Sequence, residues 1–126
     1  MSNYISEIRH NAKKAEEFFA QKLAFTLGPV ELKKMVEDGK VKLIDVRRAE
    51  DFNESHIPQA ISIPKDELKE KLSQLSKDDV HAVYCYNQQC HLGAAAAFTL
   101  ALNGYFAMEL EGGFKVWQED FGFETV

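Results

Sequence analysis

The sequence predicts an α/β protein: a parallel sheet of five strands with helices on both faces, preceded by an added amphipathic helix. Three observations carry this expectation. Short apolar or β-branched runs at residues 24–27, 41–46, 61–63, 81–85 and 107–110 alternate with stretches of helical periodicity, the pattern of a parallel sheet whose crossovers are helices. Glycine and proline punctuate the boundaries, at Gly28-Pro29, Gly39, Pro58, Pro64, Gly104 and Gly112-Gly113. The chain has 126 residues, 45% of them hydrophobic, which suits a single core.

Taken in order, Ile5, Ile8, Ala12, Ala15 and Phe19 recur at spacings of three and four, which predicts one helix over about residues 4–22 with a single apolar stripe. That stripe needs a cover, and packing on the chain's own domain is favoured over a homodimer interface. Residues 1–23 are therefore read as a helical extension and residues 24–126 as the domain proper. A short edge strand at 24–27 leads to Gly28-Pro29, where proline's fixed φ suits a first helical position; Leu32, Met35 and Val36 face that helix inward, and Gly39 ends it. Residues 41–46 read as a buried strand, 47–52 as a loop with a short helical turn, and 61–63 as a strand stopped by Pro64. A helix over about 66–75 shows Leu68, Leu72 and Leu75 on one face. The strand at 81–85 is followed by a polar loop and an Ala/Leu-rich helix reaching Asn103. The last strand, a Glu111-Gly112-Gly113 turn and an amphipathic helix anchored by Trp117 complete the chain.

The formal net charge of -5 and a pI near 5.4 argue against nucleic acid as a partner, because phosphate binding needs a concentrated basic face. With only two cysteines no disulfide framework is implied, and a reducing, cytoplasmic location is expected. Charged residues interrupt the first thirty positions, so no signal core is expected, and no window approaches the ~18 apolar residues of a membrane span.

The chemistry converges on Cys85, placed where a buried strand gives way to a polar loop and then a helix. At such a junction unpaired backbone N–H groups and the helix dipole favour an anion, so a thiol is expected to titrate below its usual value of about 8.5 and to act as a nucleophile. An inert buried cysteine is the alternative, and the polar Tyr86-Asn87-Gln88-Gln89 loop weighs against it. A zinc site made of Cys85, Cys90, His91 and His81 fits poorly: four residues separate the cysteines with no second pair, and His81 lies about 13 Å from Cys85 along the strand.

The motifs Leu43-Ile44-Asp45-Val46-Arg47, Glu50, Ser55-His56-Ile57-Pro58-Gln59-Ala60-Ile61-Ser62-Ile63-Pro64, Val83-Tyr84-Cys85 and Leu110-Glu111-Gly112-Gly113-Phe114 through Trp117, in this order, resemble the rhodanese (sulfurtransferase) family over roughly residues 24–119. The resemblance implies a rhodanese-like fold and a sulfane sulfur carried as a persulfide on Cys85, taken from a small sulfur donor or a persulfide-carrying protein and passed to a thiol or cyanide acceptor. It implies that Tyr86, Asn87, Gln88, Gln89, Cys90 and His91 surround the substrate, that Asp45, Arg47, Glu50 and His56 support the loop, and that no metal or organic cofactor is needed. Related phosphatases and arsenate reductases carry an arginine six residues after the cysteine; here that residue is His91, which disfavours phosphate chemistry. The uncharged loop favours a persulfide over thiosulfate as donor. Cys90, at a position that looks like a small hydroxyl residue of related loops, is expected to tolerate serine, and a resolving role against Cys85 stays open. The rival reading is a non-catalytic binding or regulatory module of the same fold, monomeric or dimeric through the N-terminal helix.

Overall fold

The structure, a computed structural model, describes residues 2–126. Five strands form one sheet in which every neighbouring pair is parallel: β1 (Thr26–Leu27), β2 (Lys42–Asp45), β3 (Ile61–Ser62), β4 (His81–Tyr84) and β5 (Ala107–Leu110), in spatial order β1-β5-β4-β2-β3. All four residues of β4 are buried, which explains why this central strand reads as one unbroken nonpolar run instead of an alternation.

Side chains alternate across β4 and divide the core in two. Ala82 and Tyr84 join Leu32 and Val36 of α3 (Pro29–Glu37) and Trp117 on one face. Val83 and Cys85 join Leu68 and, from α5 (Leu92–Leu102), Ala96 and Leu100 on the other. Tyr84, Leu32, Leu100 and Val83 are fully buried, and a large apolar side chain buried this way contributes roughly 1.5–3 kcal/mol. Because the strands are parallel their carboxyl ends share one rim, and Asp45 pairs with Tyr84, immediately before Cys85. Ligands of open α/β sheets bind at that rim.

The N-terminal segment differs from its expectation. Instead of one helix there are two, α1 (Ser2–Arg9) and α2 (Ala12–Phe25), divided at Asn11, whose side chain accepts from the backbone N–H of Lys14 at 3.0 Å. An asparagine that caps a new helix competes with continuation of the old one, a local effect that apolar spacing does not register. Nor does the stripe pack on the domain: Ile5, Ile8 and Phe19 are 43%, 41% and 55% exposed, and α2 buries no residue. Its tie to the body is made near its end, by the Lys22–Glu111 ion pair at 2.9 Å and the Phe25 ring 6.0 Å from Phe106. Helix α2 also runs through Phe25, which shortens the first strand.

Two further segments wind differently. Residues 66–75, expected as an α-helix, form tighter 3-10 turns at Lys65–Glu67 and Lys69–Gln74, with Leu68 buried between them. The Leu72 carbonyl accepts both from the Leu75 N–H at 3.0 Å, the three-residue bond of that winding, and from the Tyr105 hydroxyl at 3.0 Å. The last helix opens with α6 (Gly113–Lys115) and loosens into a wider turn over Val116–Asp120, in which Phe121 N–H donates to the Val116 carbonyl. No helix among the described residues is long and apolar enough to cross a membrane.

Candidate active site

The loop after β4 is held from below by the start of α6. Phe114 N–H donates to the Cys85 carbonyl at 2.8 Å and Lys115 N–H to the Tyr86 carbonyl at 2.9 Å. Gly113, at φ 63°, makes this approach feasible: a Cβ there would stand 2.7 Å from both the Cys85 oxygen and the Asn87 nitrogen. Beneath lies a buried ion pair, Arg47 Nη2 to Asp45 Oδ2 at 2.8 Å, whose guanidinium also donates to the Ser55 carbonyl at 2.7 Å and stacks 4.1 Å from the Phe114 ring centroid. Both side chains are almost fully buried, so each charge depends on the other.

Three loop side chains hold the loop itself. The Tyr86 hydroxyl donates to Asp51, keeping that carboxyl below its usual range, and accepts from Arg48 N–H at 3.3 Å. Asn87 Oδ1 accepts from Gln89 N–H at 3.1 Å and Cys90 N–H at 3.0 Å, and Gln88 Oε1 accepts from Gly112 N–H at 2.7 Å. Gln89 and His91 are exposed, and Cys90 is half-buried. His56 stacks on Phe52 with ring centroids 3.7 Å apart and bonds the Phe52 carbonyl through Nδ1 at 2.9 Å, fixing the bend before β3. Glu50 is exposed on the first turn of α4 (Ala49–Glu54) and enters no ion pair among the described residues, so the expected bracing at this corner is made by Arg48, Asp51 and Tyr86 instead. His81 sits at the far end of β4, its Nδ1 3.0 Å from the Phe106 carbonyl. Among the described residues no three His, Cys, Asp or Glu side chains converge to hold a metal ion.

Cys85 is 2% exposed, with Sγ 3.3 Å from the Cys90 carbonyl. Its acidity departs from the expectation. Burial, followed by a hydrogen bond with the Cys90 side chain, pushes the thiol up to about 11, against the pull of the Gly93 and Asn87 amides. Burial also works against the Cys90 anion, yet the Leu92 amide, the Cys85 thiol and the Tyr86 amide together hold Cys90 below its ordinary value. Of the two thiols, Cys90 is therefore the one whose anion its neighbours favour, and Cys85 the one that holds its proton more firmly.

One neighbour escaped sequence reasoning. Glu109 on β5 is half-buried, and its carboxyl is raised by burial and then by Glu111. A Cβ on Gly93 would lie 2.7 Å from Glu109 Oε2 and 3.5 Å from Cys85 Sγ, so the carboxyl and the thiol share one small space. The available signal was an acidic residue inside an otherwise apolar strand. On the outer side of the loop, a cavity of 470 Å³ is lined by Pro29, Asn87, Gln88, Gln89, Glu111 and Lys115; Cys85 does not line it.

Residues 28–120 match the model of the rhodanese-like domain. The chain belongs to the rhodanese-like domain family. Similar proteins include an HTH-type transcriptional regulator of Mycobacterium tuberculosis, 34% identical over 88 residues that cover 70% of this chain and 39% of the regulator. Another is the thiosulfate sulfurtransferase GlpE of Pseudomonas savastanoi pv. phaseolicola, 28% identical over 98 residues, covering 78% of this chain and 91% of GlpE. The crystal structure of the BH2092 protein of Bacillus halodurans superposes on 92% of this chain and 86% of its own with a TM-score of 0.85 at 32% identity. The chain thus spans well under half of the regulator but most of GlpE. Residues 2–25 outnumber the part of the chain left outside the BH2092 superposition, so part of the helical extension also belongs to the shared fold. Within the rhodanese-like domain, the Asp45–Arg47 pair, Gly113 and the head of β4 are the elements that position Cys85.

Proposed function

We propose that this rhodanese-like domain is a sulfurtransferase that carries sulfane sulfur as a persulfide on Cys85. The observation behind this reading is the placement of Cys85 Sγ at the strand-to-loop turn, beside the Asn87 and Gly93 amides that favour its anion. Relatives named as sulfurtransferases support it. In the first half-reaction Cys85 sulfur attacks the outer sulfur of a donor R–S–SH; the donor's S–S bond breaks, R–S⁻ leaves and takes up the proton that Cys85 gives up. In the second, an acceptor thiolate or cyanide attacks the outer sulfur of Cys85–S–SH and the Cys85 thiolate leaves.

The donor class follows from charge. Glu109 shares the space of Sγ and none of the loop side chains 86–90 carries a positive charge, so a dianion such as thiosulfate finds little attraction there, and a singly charged persulfide needs less. The test is incubation with cysteine persulfide followed by cyanide, read as thiocyanate formed. Wild type is expected to turn over, and Cys85→Ser to fall to the rate without protein. Turnover that survives Cys85→Ser but is lost in Cys90→Ser would reassign the nucleophile, and a wild type with no turnover would leave the binding-module reading.

A further inference from the structure

The backbone of the second cysteine of the loop touches the sulfur that would become the inner atom of the persulfide. Cys90 is brought there by the turn over residues 87–90, closed by its N–H on the Asn87 carbonyl at 3.1 Å and on Asn87 Oδ1 at 3.0 Å. This turn lays the Cys90 carbonyl 3.3 Å from Cys85 Sγ. The remaining surroundings of Sγ are closed, since Cys85 is 2% exposed and Gly93 and Glu109 back it from α5 and β5. Cys90 therefore borders that inner sulfur from within the same loop.

We propose that Cys90 is a resolving thiol that attacks the inner sulfur of the Cys85 persulfide and releases hydrosulfide when no acceptor arrives. This deepens the sulfurtransferase reading and rests on it. The step balances without an added oxidant: Cys85–S–SH and Cys90–S⁻ give the Cys85–Cys90 disulfide and HS⁻. The Sγ–Sγ bond between the cysteines forms, the Cys85–sulfane bond breaks, the sulfane sulfur is reduced and the two cysteine sulfurs are oxidised. Two equivalents of a small thiol then restore the loop. The net activity is R–S–SH plus two R′–SH giving R–SH, H₂S and R′–S–S–R′, a thiol-dependent persulfide reduction beside sulfur transfer. The turn suits this step, because it folds the chain back toward the ~7 Å between α-carbons that a disulfide requires, and the groups that favour the Cys90 anion favour its attack.

The test uses the full chain under anaerobic conditions with one equivalent of cysteine persulfide, no acceptor, and intact mass and free sulfide as readouts. Wild type is expected about 2 Da lighter than the reduced chain with about one hydrosulfide released, and Cys90→Ser about 32 Da heavier with sulfide at the level of a Cys85→Ser blank. A wild type that stays about 32 Da heavier, as Cys90→Ser does, overturns the resolving role and leaves the sulfurtransferase reading standing. If a folded Cys90→Ser and a folded Cys90→Ala both take up no sulfur, the persulfide reading fails and this inference with it. A wild type that loses about 2 Da without donor also overturns the proposal, because its oxidant is then not the sulfane sulfur.

Discussion

Cys85 and Cys90 are the same side chain in one loop, yet their surroundings push their acidities apart. Cys85 ends a buried strand and is desolvated, whereas Cys90 lies nearer solvent and collects hydrogen bonds that favour its anion. The sign of the pH dependence follows. A thiol raised to about 11 holds little thiolate at neutral pH, so the rate of Cys85 persulfide formation should climb about tenfold per pH unit across roughly pH 7–9. Single-turnover mass spectrometry against pH measures it, and a rate already flat below about pH 8 would show that donor binding lowers the Cys85 thiol. Gly113 gives a second expectation at this scale. Alanine there meets backbone at 2.7 Å and an unfavourable φ of 63°, so Gly113→Ala should cost at least the ~1–3 kcal/mol of a strained residue and lower sulfur transfer, because the atoms displaced belong to Cys85 and Asn87. A melting temperature and a transfer rate both equal to wild type would refute that account.

Among the elements, α1 and α2 stand apart. Their stripe is clear in the sequence, but a stripe states only that a face is apolar, never what covers it. With Ile5, Ile8, Phe18, Phe19 and Leu23 all exposed, the two helices add little to the stability of a single chain. Removal of residues 1–20 should therefore leave the melting temperature within about 3 °C of the full chain at micromolar concentration. A larger fall, accompanied by a lower molecular mass in solution, would show the stripe buried against a second copy. The loop–α6 contact behaves oppositely: short, glycine-dependent and bonded through backbone, it is the element-level device that holds Cys85 over the Asp45–Arg47 pair.

At the scale of the whole molecule the formal charge of -5 acts on any anionic donor, and the acidic side chains near the loop act at close range. Raising ionic strength from about 0.01 to 0.15 M shortens the Debye length from about 30 to 8 Å. The kcat/KM for thiosulfate should then rise a few-fold while that for cysteine persulfide moves less. Steady-state kinetics with both donors checks this, and a thiosulfate kcat/KM that falls with salt would mean that an attractive field steers the dianion. The parallel sheet places these effects at one rim, since β2, β4 and β5 all end there.

The strand-and-helix order, the central buried strand and the position of Cys85 at its end were legible in the sequence, because each depends on local quantities: apolar runs, β-branched residues, and glycine or proline at turns. The Leu43–Arg47 and Leu110–Trp117 motifs likewise announced the family from contiguous residues. What only the tertiary structure decided depends on groups distant in sequence. The closeness of Glu109 to Cys85 arises from β5 pairing beside β4, and the engagement of Tyr86 by Asp51 from α4 folding over the loop. The divergence in acidity between Cys85 and Cys90 arises from a turn that brings Cys90 back toward Cys85 while the sheet removes Cys85 from water. Burial and proximity are sums over the whole fold, so a residue's type and spacing can nominate it for chemistry, while its protonation state is settled by the neighbours that folding brings to it.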